Sequence, residues 1–233
     1  MKFILHLLLC VTFLIISNIS AQEKNNETYK SVPFENSKIR FEQNATDGDV
    51  EVVFEISGGD EGLTKLAIVS PDGKVIGDFN AFDLSTLGIR QFRFESPEPT
   101  DVDGLKAAYP EGIYSFSATS TSGTEYYSEA VLNHTLPPVV SFKYPSVEAE
   151  DIEVDKLVIT WTPVDNITGY LIELDQEVLG VNILAQLPGT INNFSVPDGF
   201  LTPGKEYILS IGTISEDGNI SVVETSFSTA GDK

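Results

Sequence analysis

Cysteine is almost absent from this chain. The single thiol, Cys10, sits inside an apolar stretch at the N-terminus. Once that stretch is removed, neither a disulfide nor a cysteine nucleophile remains, and each core must hold by packing alone. Histidine is nearly as scarce: His6 shares the same stretch and His134 stands alone. One imidazole cannot supply the clustered ligands of a zinc site. It serves a Ser-His-Asp triad only inside a shaped pocket, and beside Pro137-Pro138 an exposed or strand-capping linker histidine is the simpler reading. No glycine-rich loop joins a strand to a helix, so there is no phosphate cradle. Positive charge is also in short supply, with 14 Lys and Arg against 35 Asp and Glu and a formal net charge of -21. Such a chain repels phosphate backbones and anionic lipid, which argues against nucleic-acid partners and membrane insertion. Solubility is the plain use of that charge.

Long hydrophobic runs are missing with one exception. MKFILHLLLCVTFLIISNISA has a short basic head in Lys2, an apolar run from Phe3 to Ile16 and a small residue, Ala21, at its end. This pattern predicts a secretory signal peptide over residues 1–21, because a spanning helix needs roughly 20 apolar residues. A lipid anchor on Cys10 fits less well, since more apolar sequence follows it where a polar mature start belongs. The expected protein is therefore secreted, periplasmic or on the cell surface. After cleavage, roughly 200 residues allow one large or two ordinary domains.

Beyond a flexible polar leader (22–31), the chain keeps a two-residue beat. In DVEVVFEI, Val50, Val52, Phe54 and Ile56 share a face while Glu51, Val53 and Glu55 share the other, the pattern of a strand with one buried side. The beat returns at Leu66 and Ile68, at Phe92 and Phe94, at Tyr114, Phe116 and Ala118, and from Tyr126 to Leu132. Turn chemistry separates these runs, notably Pro71-Asp72-Gly73. Ser96 to Gly112 carries three prolines and a possible helical turn, DGLKAAY, and reads as a crossover between sheets. Many short strands with regular turns predict an all-β protein of tandem β-sandwiches. Pro137-Pro138 cannot sit in a paired strand and divides the chain, giving a first sandwich over 32–136, a Pro-rich linker over 137–139 and a second sandwich over 140–233.

One acidic stretch invites a metal. In NATDGDVE, Asn44, Asp47 and Asp49 offer oxygens of the kind calcium takes, six to eight at about 2.3–2.6 Å. The EF-hand spacing fails, because Val52 falls where that loop needs glycine. Two readings stay open: a calcium site in which Asp60 or Glu61 joins Asn44, Asp47 and Asp49, or a hairpin turn in which Asp bonds its own backbone and Gly accepts positive φ. Tyr126, Tyr127 and Phe200 are candidate exposed aromatics for binding. The sequons at Asn26, Asn44, Asn133, Asn166, Asn193 and Asn219 mark glycosylated surface positions in a eukaryote and ordinary polar turns in a bacterium.

In the second half, KLVITWTPVDNITGYLIELD and the stretch from Phe194 to the C-terminus carry Trp161, Tyr170, Leu201, Pro203-Gly204 and Tyr207. At these spacings the segment 139–230 resembles a fibronectin type III domain. The resemblance implies a core tryptophan at Trp161 and a tyrosine corner at Tyr207 whose hydroxyl returns to the backbone upstream. The segment PEGIYSFSATSTSGTEYYSEAVL resembles the immunoglobulin-like modules of bacterial exported proteins. Together these imply an exported, non-enzymatic binding or spacer protein that meets a protein or glycan outside the cytoplasm, without a cofactor unless calcium binds. The alternative is a calcium- or carbohydrate-binding protein that uses the acidic loops of the first domain. No Arg-Gly-Asp is present to support adhesion through that tripeptide.

Overall fold

The computed structural model describes residues 31–81, 83, 87–99 and 101–231. The expected signal peptide and nearly all of the leader lie outside the described residues. Among the described residues no helix is long and apolar enough to cross a membrane.

Period-two alternation becomes paired strands wherever turns allow. In the first half β1 (Asn36–Asn44), β2 (Val50–Ser57) and β5 (Gln91–Glu95) form one layer. β3 (Leu63–Val69), β4 (Val75–Asn80), β6 (Gly112–Ser120) and β7 (Glu125–Leu132) form the other, in the order β4-β3-β6-β7. The inward residues of the two layers meet: Ile39, Phe41, Val52, Phe54 and Ile56 from one, Leu66, Ile68, Tyr114 and Phe116 from the other. Fully burying each such side chain is worth about 1.5–3 kcal/mol, and this packing replaces the missing disulfide. The crossover between layers contains the short helix α1 (Val102–Ala108), capped by the Asp101 carboxylate, which accepts the Gly104 N–H at 3.0 Å, and pinned by buried Leu105.

The second half repeats this distribution. β8 (Phe142–Tyr144), β10 (Val158–Trp161) and β13 (Asn193–Ser195) make a three-stranded layer in the order β13-β10-β8. β11 (Gly169–Gln176), β12 (Val181–Pro188), β14 (Glu206–Ile214) and β15 (Ile220–Thr229) make the facing layer in the order β12-β11-β14-β15, and β9 (Ala149–Ile152) pairs parallel with β15. Trp161 is fully buried and meets Tyr170 edge-on at 5.2 Å between ring centroids. The tyrosine corner is present: Tyr207 Oη accepts the Thr202 N–H at 2.8 Å and reaches the Phe200 carbonyl at 3.4 Å. A similar device in the first half went unread in the sequence, since Tyr114 Oη donates to the Pro110 carbonyl at 3.0 Å.

The two sandwiches share a sheet. β1 pairs parallel with β15 through Glu42↔Ile220, Gln43↔Ser221 and Asn44↔Val222, so one layer of each sandwich continues into the other. Each half nevertheless buries its own hydrophobic cluster.

Candidate functional site

The seam between β1 and β15 gathers the residues that the sequence marked as interesting. NATDGD closes the β1–β2 hairpin: Gly48 N–H donates to the Asn44 carbonyl at 2.8 Å, and Asn44 N–H to the Asp49 carbonyl at 2.9 Å. Gly48 holds φ at 89°, a left-handed conformation that favours glycine. Two side chains fold back on this turn. Asn44 Oδ1 accepts the Thr46 N–H and Asp47 Oδ1 accepts the Asp49 N–H, both at 3.0 Å. The turn is also bolted to the second sandwich. Ala45 N–H donates to the Val222 carbonyl at 2.8 Å, Glu224 N–H donates to Thr46 Oγ1 at 2.7 Å, and Asn44 Nδ2 donates to a Glu224 carboxylate oxygen.

Beside the turn lies a small cleft of about 160 Å³ lined by Glu42, Gln43, Asn44, Asp49, Glu51, Glu98 and Val222. Asn44 and Asp49 therefore share one depression, whereas Asp47 stays on the exposed turn. Among the described residues, no three Asp, Glu, His or Cys side chains stand close enough together to hold a metal ion. Asp60 pairs with Arg90 at 3.8 Å, and Glu61 accepts the Ser122 hydroxyl at 2.7 Å.

The register explains the electrostatics of the cleft. Glu42 and Glu51 stand directly opposite each other across β1 and β2, an arrangement of like charges that destabilises a sheet. Glu42 is held by Arg40, while Arg40, Glu55, Arg93 and Glu95 continue as an ion-paired row across the outer face. Burial, followed by the charges of Glu42, Glu95 and Glu98, pushes the Glu51 carboxyl up to about 7 against the opposing pull of Arg93. Glu51 is thus a proton-binding group near neutral pH. Sequence reasoning missed it, although the hairpin register contained the signal: once the turn spans Ala45 to Gly48, Glu42 must face Glu51.

A second knot lies on the same seam. Asn219, from the SEDGN turn, is 1% exposed. Its Oδ1 accepts the Phe41 N–H at 2.8 Å. Its Nδ2 donates to the Asn133 carbonyl and Asn133 Oδ1 at 3.0 Å and to the Thr135 carbonyl at 2.9 Å. One amide therefore ties β1, the segment leaving β7 and the turn before β15 together, and its sequon is an interior position, not the surface turn its sequence suggested. Thr213 Oγ1 adds a bond to the Pro138 carbonyl at 2.8 Å. His134 is also drawn inward: its ring packs against Phe41 at 5.1 Å between centroids, with Nε2 2.9 Å from the Tyr109 carbonyl oxygen. Of the three candidate aromatics, Tyr126 packs on Phe34 and Phe200 on Tyr207, leaving Tyr127 exposed with its hydroxyl on Glu129.

No family model matches the chain. Solved structures that resemble it include a two-domain fibronectin type III segment of chicken tenascin, at 15% identity and a TM-score of 0.32, covering 84% of this chain and 100% of that one. The fibronectin(III)-like modules of Clostridium thermocellum CbhA align at 13% identity and a TM-score of 0.34, over 84% of this chain and 92% of theirs. The fibronectin type III domain of the human collagen alpha-1(XX) chain aligns at 20% identity and a TM-score of 0.31, over 42% of this chain and 86% of its own. These likenesses are distant, and the fold rests on the strand order itself: the chain is a tandem of two β-sandwiches, similar to solved fibronectin type III domains.

Proposed function

We propose that the protein is an exported, non-enzymatic spacer whose two sandwiches are locked at a fixed separation and angle, holding a protein or glycan partner in place outside the cytoplasm. The observation that carries this reading is the sheet that runs unbroken from β15 into β1. Backbone pairing, the Asn219 knot and the Thr46–Glu224 and Asn44–Glu224 bonds all cross the joint, whereas a flexible tandem needs none of them. Export rests on the signal-like N-terminus, and a non-catalytic role on the poverty of Cys and His.

The chain without its signal stretch has no cysteine, so single thiols at exposed Thr121 and Asp198 can carry paired spin labels, one in each sandwich. A spacer gives one narrow distance distribution, broadened by Asn219→Ala. A broad distribution in the unaltered protein defeats this reading, as does retention of the full-length chain in the cytoplasm when the native host is fractionated.

A second reading makes the cleft a calcium or carbohydrate site. It is favoured by the depression that Asn44 and Asp49 share with Glu42, Glu51 and Glu98, whose carboxylates would have to draw together around an ion. Calcium at about a hundred times its dissociation constant adds roughly 2.7 kcal/mol to the bound state. A thermal melt in EDTA and then in millimolar calcium should therefore show a rise that Asp47→Ala, Asp49→Ala abolishes; an unchanged midpoint rejects the calcium form of this reading.

A further inference from the structure

The flank of the second sandwich bounded by β12 and β13 differs from the rest of the surface. Residues 178–197 contain no Asp, Glu, Lys, Arg or His, although the whole chain carries a net charge of -21. No other described run of the sequence goes so long without charge. Both strands in this run are outermost: β12 ends the long sheet and β13 ends the three-stranded one, so the two sheets finish on the same uncharged flank. β12 pairs with β11 in an unbroken register from Gly169↔Pro188 to Gln176↔Val181, without a bulge to turn the edge aside. Among the described residues β12 has no second strand partner. Apolar side chains stand in solvent on the strand and beside it: Leu184 is 64% exposed and Val181 is exposed on β12, Val178, at 82%, and Leu179 precede it, and exposed Ile191 follows it.

Exposed edges are normally blunted by charge, proline within the strand or a bulge, because unpaired backbone groups accept a further strand. Apart from the three-residue β13, which is too short to offer much of an edge, the other strands that end the sheets among the described residues follow that rule, β8 with Lys143. β5 carries Arg93 and Glu95, β4 carries Asp78, and β7 carries Glu125 and Glu129. β12 has no charge and no bulge, and its one proline, Pro188, stands at the end.

We infer that β12 is a homodimerisation edge, pairing antiparallel with β12 of a second copy about a two-fold axis. The choice of a second copy follows from charge. Two molecules this acidic repel across most of their surfaces, and this flank is where they can meet without setting carboxylate against carboxylate. An antiparallel two-fold puts the same patch on both sides, so an uncharged strip meets an uncharged strip and Leu184 packs near the axis. This inference stands apart from the spacer reading, since a rigid tandem can be monomeric and a flexible one can dimerise.

The test is sedimentation of the chain without its signal stretch, from about 1 μM to about 1 mM, alone and as Leu184→Glu, with Thr121→Glu as a control carrying the same added charge on the other sandwich. The expected result is a monomer–dimer equilibrium. It should be strengthened at roughly 0.5 M salt, where long-range repulsion is screened, weakened at least about tenfold by Leu184→Glu and left nearly unchanged by Thr121→Glu. Amide exchange across 181–188 should slow as the dimer forms. Leu184 is a surface residue, so an unchanged thermal midpoint will confirm that the variant is folded. Monomer at every concentration overturns the inference, and so does a dimer indifferent to Leu184→Glu or one that leaves exchange across 181–188 unaltered. Association that appears only with another protein strand would point to a different occupant and would also overturn it.

Discussion

Replacing Asn219 with alanine isolates the joint, because among the described residues no other side chain makes four hydrogen bonds across it. The variant strips the Phe41 N–H of its acceptor in a buried position, which costs about 1–3 kcal/mol when no replacement arrives. The Asn133 and Thr135 carbonyls lie nearer solvent and can be rehydrated, so each donated bond there is worth nearer the net value of about 0.5–1.5 kcal/mol. Together these put the loss near 3 kcal/mol. At a urea slope of roughly 2 kcal/mol per molar, the denaturation midpoint should fall by about 1.5 M. Coupling should weaken as well, because the two hydrophobic clusters are separate and the seam is their bond; a single transition in wild type should split toward two. Asn219→Asp sharpens the test: the carboxylate still accepts from Phe41 but loses both N–H donors and sets a charge against three oxygens, so it should be at least as damaging as alanine. A loss below about 0.5 kcal/mol for Asn219→Ala, or an Asp variant as stable as wild type, refutes this account of the joint.

Glu51→Gln should act through pH. A carboxyl raised on folding leaves stability untouched below about pH 4.5, erodes it as pH rises toward 7, and imposes its full penalty above that. With solvent screening of a half-exposed group allowed for, the penalty is roughly 1–2 kcal/mol. The variant should therefore match wild type in urea at pH 4.5 and exceed it at pH 8; equal midpoints at both values contradict the cleft electrostatics. Tyr207→Phe and Tyr114→Phe remove only the corner hydroxyls and should each cost about 1–2 kcal/mol by chemical denaturation, with additive effects, since the two lie in separate clusters. Gly62→Ala should be worse than either. Its new Cβ would fall 1.8 Å from the Leu87 carbonyl oxygen, where backbone must yield, and a thermal shift smaller than that of Tyr114→Phe would show that the segment moves aside freely.

What the sequence determined by itself was local. Side chains alternate every two residues in a strand, so Val50, Val52, Phe54 and Ile56 identify a buried face without any knowledge of their partners. Pro71-Asp72-Gly73 likewise names its own turn, and Ser70 N–H and the Lys74 carbonyl close it at 2.9 Å. Trp161 and Tyr207 were legible through the resemblance of 139–230 to fibronectin type III domains, which implied a core tryptophan and a tyrosine whose backbone partner lies close by in the chain. Tertiary structure alone decided the joint. Nothing in SEDGN distinguishes Asn219 from an ordinary turn residue, because its partner Phe41 lies 178 positions away. The pairing of β1 with β15 leaves no periodic mark, and Glu51 becomes a neutral-pH titrating group only after folding sets Glu42 opposite it and partly buries it near Glu95 and Glu98. Charge, turn and alternation are properties of neighbours in sequence. Desolvation and cross-seam hydrogen bonding belong to residues that folding brings together.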